Sequence, residues 1–200
     1  MTTIPATAPT TDPVPAPALD AERADLLAEL AAARAMLINT TSGLSDEQAG
    51  EHPTVSALCL GGLIKHVAAC EEGWLQFILE GPSAMDFALP DGVTWDEFMS
   101  GTAREYPAWA IRRQNDFQMQ PGDTLAGVIA GYQRAAARTD EIVATIPDLS
   151  ATQPLPAAPW NEPGARHSVR RVLIHIIAET TQHAGHADLL RETIDGQTTT

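Results

Sequence analysis

"IHIIAETTQHAGHADLLRE", residues 174–192, places three histidines and Glu179 in a stretch whose apolar residues trace the buried face of a helix. Burying a charge or an unpartnered imidazole costs several kcal/mol unless something compensates. Titratable groups on a core face therefore imply partners, and the direction of each side chain decides which groups face the core. At about 100° per residue with His175 at zero, Val172 and Leu190 fall at about 60°, Ile176 at about 100° and Ala187 at about 120°. On the same wheel Glu179 falls at about 40° and His183 at about 80°, within the apolar arc. Arg170, Arg171, Gln182, Asp188 and Glu192 take the opposite side, and His175 and His186 lie at the arc's edge.

The second segment of this kind runs from about Val55 to Glu80. With His66 at zero, Cys59 and Phe77 fall at about 20°, Cys70 at about 40°, Leu63 at about 60°, Trp74 at about 80° and Val67 at about 100°. His66 thus faces the core as well. An i, i+4 pair projects from one helix face with about 5–6 Å between its members, so Glu179 and His183 can grip one ion while His66 on a facing helix completes the set. Three ligands of the His/Glu/His kind leave a position open for water or substrate, as in catalytic zinc sites. Nickel, iron and manganese accept the same donors.

The bland reading stands beside this one. A lone core histidine is commonly satisfied by a carbonyl or water, and Glu179 with His183 can be a simple helix-face ion pair. Two helices aiming imidazoles inward tip the balance toward metal. His175 and His186 are candidates for hydrogen bonds to a ligand, and either can replace Glu179. Trp74 is read as core or as a substrate contact, and Cys59 and Cys70 as small buried hydrophobes. Trp160 and Arg166, ahead of the last helix, can cover the mouth of the site.

Working outward, residues 1–18 are rich in Pro, Thr and Ala, which predicts a disordered tail. Asp20 is a candidate N-cap, and Leu26, Leu30, Ala33 and Leu37 trace the first amphipathic helix. Ser45 with Gln48 and Thr94 with Glu97 have capping-box spacing, and Pro107 should kink or break the helical stretch "WDEFMSGTAREYPAWAIRRQ". Leu125, Ile129, Tyr132, Ala136, Val143 and Ile146 predict a third long helix. Ser168 and Gly196 bracket the fourth. No period-2 strand is expected.

The expected architecture is an all-α four-helix bundle spanning residues 19–196, with a long connection between its second and third core helices and a short tail at 197–200. Such bundles build metal and ligand sites in their cores.

The 200 residues include 12 basic and 26 acidic side chains, a net charge of −14, which repels nucleic acid and anionic membranes. No run is apolar enough to span a bilayer. Cys59 and Cys70, read as one helix, would lie about 16 Å apart and cannot bridge. A reducing, cytoplasmic setting is expected.

The stretches "LGGLIKHVAACEEGWL", residues 60–75, and "SVRRVLIHIIAETTQHAGHADLLRETIDG", residues 168–196, resemble the DinB-like metalloprotein superfamily, particularly its actinobacterial branch. The resemblance implies a bundle, often a homodimer, that binds a divalent metal through His66, Glu179 and His183. Many members have histidine where Glu179 stands, and the mycothiol-dependent maleylpyruvate isomerases look like the His/Glu/His version. Those isomerases carry a further C-terminal domain and this chain ends at Thr200, so isomerase activity is not expected. Other relatives are S-transferases using mycothiol, bacillithiol or glutathione, which implies a metal-activated thiol, an electrophilic partner and no protein nucleophile. Metal-assisted hydrolysis and a non-catalytic metal-binding stress-response bundle are the alternatives.

Overall fold

The computed structural model describes residues 19–85 and 87–199; the expected N-terminal tail, residues 1–18, lies outside the described residues. Helix α1 spans Ala21–Asn39, its N-terminus capped by Asp20, which accepts from the Arg23 N–H at 2.9 Å. A short α2, Asp46–Gly50, opens with the expected Ser45/Gln48 capping box.

Helix α3 covers Leu60–Glu80 and starts five residues later than the apolar pattern predicts. Local side-chain bonds explain the delay. The Thr54 hydroxyl accepts from the Ser56 N–H and the Ser56 hydroxyl from the Leu58 N–H, both at 3.2 Å, so this segment turns instead of coiling. Cys59 is therefore the N-cap, outside the helix, its sulfur accepting from the Gly62 N–H at 3.4 Å. The helix stops at Gly81, whose φ of 76° suits a residue without Cβ.

The long connection follows as expected. It holds α4, Trp95–Met99, begun by the Thr94/Glu97 capping box, and α5, Ala108–Asp116, begun at Pro107. Helix α6, Leu125–Thr145, ends ahead of Pro147. Contrary to expectation, the Pro-rich segment after it contains strands β1, Thr152–Pro154, and β2, Arg166–Ser168, paired antiparallel with Gln153 opposite His167. Three residues are too few to show a period of two, so the alternation that marks strands cannot register. Helix α7, Val169–Asp195, is capped by Ser168 and closed by Gly196 in the left-handed conformation. Beyond it, the Thr199 N–H donates to Asp188 at 2.7 Å.

Helices α1, α3, α6 and α7 form the bundle: α1 packs on α7 and α6, and α3 packs on the same two. Two apolar clusters fill it. One gathers Leu37, Leu63, Ile64, Leu125, Ala187 and Leu190; the other gathers Leu30, Phe77, Val143, Val172, Leu173 and Ile176. Each large side chain buried here contributes about 1.5–3 kcal/mol.

Between the clusters, every long helix buries a polar residue: Arg34, Glu71, Thr139 and Thr180. Arg34 makes a two-pronged contact with the carboxylate of Glu71 and reaches Asp140 at 2.8 Å. The bundle thus has a polar waist, and the histidines of α3 and α7 lie close to it along the chain.

Candidate metal centre

His66 on α3 and Glu179 and His183 on α7 converge. One donor atom from each lies within 4.8 Å of the other two. A single carboxylate oxygen, Glu179 Oε1, stands 3.5 Å from His66 Nε2 and 3.4 Å from His183 Nε2. Zinc–nitrogen and zinc–oxygen bonds of about 2.0–2.1 Å in tetrahedral geometry separate neighbouring ligands by about 3.4 Å. The spacing and the donor chemistry of these residues therefore fit one divalent cation.

The positions follow from the helices. An i, i+4 relation puts Glu179 and His183 on one face of α7. On α3, His66 is 1% exposed and covered by the Phe117 ring, which stacks on its imidazole with centroids 3.8 Å apart. Burial pushes the His66 pKa below its ordinary value, against the pull of Glu179. Glu179 is held far below the usual carboxylate range by hydrogen bonds to His183 and then His66. The triad therefore offers a neutral imidazole at His66 and an ionised carboxylate.

The neighbours of the triad divide into those the sequence singles out and those it does not. His186 Nδ1 is 3.4 Å from His183 Nδ1, so His186 touches the ring nitrogen that does not face Glu179. His175 stands edge-on to Trp74 with centroids 4.9 Å apart, and both line the cleft above the triad. Neither His175 nor His186 takes the place of Glu179 in the cluster. Trp160 also lines the cleft, whereas Arg166 is turned to Thr152, bonding its hydroxyl at 2.9 Å and its carbonyl at 2.8 Å.

Cys70, expected as a small buried hydrophobe on the core face, touches the triad as well. Its sulfur lies 3.4 Å from His66 Nε2 and 4.0 Å from Glu179 Oε1, at the cleft edge of the triad. Burial pushes its thiol up to about 11. The signal was present: Cys70 follows His66 by four residues, as His183 follows Glu179. Arg112, Arg113 and Asp116 of α5 also line the cleft, and burial raises the Asp116 pKa.

The cleft is open to solvent and encloses about 1020 Å³, space for a small molecule beside the triad. Among the described residues no helix is long and apolar enough to cross a membrane.

A comparison with curated proteins finds no match. The family model described as mycothiol-S-transferase matches residues 25–196, from the first turns of α1 through the cap of α7, with His66, Glu179 and His183 all inside the match. That family lies within the DinB-like superfamily, and its thiol-transfer chemistry suits an open cleft over three converging donors. The chain belongs to the mycothiol S-transferase family.

Proposed function

We propose that this protein transfers a mycothiol-type thiol to a small electrophile, using a divalent metal, zinc foremost, held by His66, Glu179 and His183. The convergence of these three donors, two of which, His66 and Glu179, line an open cleft, carries the reading. When bound, such an ion supplies the positive charge that lowers a thiol's pKa and stabilises its thiolate.

The chain's own residues arrange the rest. Burial keeps His66 a neutral donor, and the imidazoles keep Glu179 ionised, so no proton need leave these two groups before they ligate. His186 contacts the far nitrogen of His183 and orients that ring. The Cys70 thiol, pushed up by burial, stays protonated near neutral pH and leaves nucleophilic attack to the cosubstrate. With a chloroarene acceptor a carbon–sulfur bond forms as the carbon–chlorine bond breaks, chloride leaves with the electron pair, and the thiol proton passes through the open cleft to water. The homodimer implied by the family resemblance and the cytoplasmic setting expected from the sequence belong to the same proposal, and sedimentation analysis tests the dimer.

The deciding experiment compares wild type and His183→Ala, both incubated with zinc, in conjugating mycothiol to an activated chloroarene. Wild type is expected to exceed the uncatalysed rate and the variant to match it. Equal rates for the two proteins would remove the metal-dependent transferase reading.

A further inference from the structure

Of the chain's four Trp, four Phe and two Tyr, six line the cleft: Trp74, Phe87, Phe98, Trp109, Phe117 and Trp160. Most of the outer rings interlock with one another instead of entering the bundle core. Phe87 meets Trp109 and Trp160 nearly edge-on at 5.3 Å each, and Phe98 lies 5.2 Å from Trp109. Trp160 remains 50% exposed. Aromatic surface left open on a cleft wall is matched by a flat apolar ligand.

Helix α5 adds the opposite chemistry. Arg112 and Arg113 both line the cleft and are exposed, and neither forms a salt bridge among the described residues. In a chain with 12 basic residues and a net charge of −14, two such guanidinium groups side by side on one wall are a local concentration of positive charge. Asp116 and Glu179 line the cleft as well, but the carboxylate of Glu179 is engaged by His66 and His183, and neither acid forms a salt bridge with Arg112 or Arg113 among the described residues.

We infer that the electrophile is a flat aromatic or conjugated compound carrying a carboxylate or similar anion. Its ring lies against Phe98, Trp109 and Trp160, and its anion pairs with Arg112 and Arg113. The inference rests on the transferase reading of the same site. A mycothiol-type cosubstrate is a neutral, polyhydroxylated thiol and brings no anion to meet these guanidinium groups, so the acceptor supplies it. With a chloroarene acceptor the carbon–sulfur bond forms and the carbon–chlorine bond breaks. Chloride then leaves with the electron pair, and the thiol proton goes to water.

Binding is measured by calorimetry with 2-naphthoate and its neutral counterpart 2-naphthamide, on the full chain treated with chelator and again after zinc loading. The naphthoate is expected to bind about tenfold more tightly in the chelated chain, the worth of one charge-assisted hydrogen bond. The double variant Arg112→Gln, Arg113→Gln, both on an exposed helix face, should bind the two probes equally while keeping the amide affinity. Trp160→Ala should weaken both probes alike. Equal affinities in wild type, failure of both probes to bind, or a preference that survives the double substitution would each overturn the inference. Turnover of 4-chloro-3-nitrobenzoate and its amide with mycothiol separates this from the parent reading. A naphthoate preference without turnover would support the anion site and overturn the transferase reading, whereas turnover without a preference would do the reverse.

Discussion

Phe117 stacks on His66 with ring planes 21° from parallel, and the backbone of that same phenylalanine rests on Gly62, one turn before the histidine. A Cβ on Gly62 would stand 1.9 Å from the Phe117 carbonyl oxygen and 2.2 Å from its carbonyl carbon. Backbone cannot yield as a side chain can. Gly62→Ala is expected to destabilise the fold by about 1–3 kcal/mol, as overpacking does, and to lift Phe117 off His66. Gly61→Ala crowds the flexible Met119 side chain, with the Ala49 carbonyl oxygen at an ordinary 3.4 Å, and should cost less. Melting curves of the two variants check the order, and equal stabilities would contradict it.

Metal content checks the ligand set. His66→Ala, Glu179→Ala and His183→Ala should each fall well below one zinc per chain after dialysis, whereas Cys70→Ala, altering a neighbour that is not in the triad, should retain it. Loss of zinc from the cysteine variant alone would reassign the site.

His186 is expected to act through His183. Replacing it by alanine should weaken zinc binding about 10–100-fold, the usual effect of removing a partner that orients a ligand, without changing the stoichiometry at saturating metal. Competition with a zinc-chelating dye reads this directly, and unchanged affinity would show that the contact is idle.

The polar waist predicts non-additivity. Arg34→Met leaves the Glu71 carboxylate buried and unpaired and should cost about 3–5 kcal/mol, while adding Glu71→Leu should restore much of that loss. A denaturation cycle over the four proteins supplies the coupling, and strictly additive losses would mean that the pair does not interact.

The metal-free protein should lose stability as pH falls. Burial lowers the His66 pKa in the folded chain, so below the ordinary 6.5 the unfolded state takes up a proton first. The stabilisation is complete above pH 6.5 and is lost as pH drops toward the folded value. Glu179, depressed in the same sense, adds a second loss below its ordinary 4.5. Urea midpoints in chelator should fall between pH 7.5 and 5.5, and His66→Gln should flatten that fall.

Long-range periodicity carried most of the fold and the core of the site. The four amphipathic helices, α3 starting late, and the caps at Asp20, Ser168 and Gly196 stand where the sequence pattern places them, because a capped apolar arc needs no distant information. His66, Glu179 and His183 were legible because each lies on such an arc. Arg34 lies one turn beyond Leu30 on α1's apolar face, and only a partner on another helix shows why a charge is tolerated there. Beyond Trp74 and Trp160, the aromatic wall and its arginines were not legible, since Phe87, Trp109 and Trp160 come from segments that share no period. The β1–β2 pair escaped for the same reason, its register depending on a loop rich in Pro and Gly.

His66 and Glu179, donors of the candidate centre, lie more than a hundred residues apart in the chain, with the connection and all of α6 in between. Glu179 and His183 can come together as soon as α7 coils, but His66 reaches them only after distant parts of the chain have docked. On the proposed reading all three donors would therefore meet only in the completed assembly, and a half-formed bundle would offer a divalent ion two donors and release it readily.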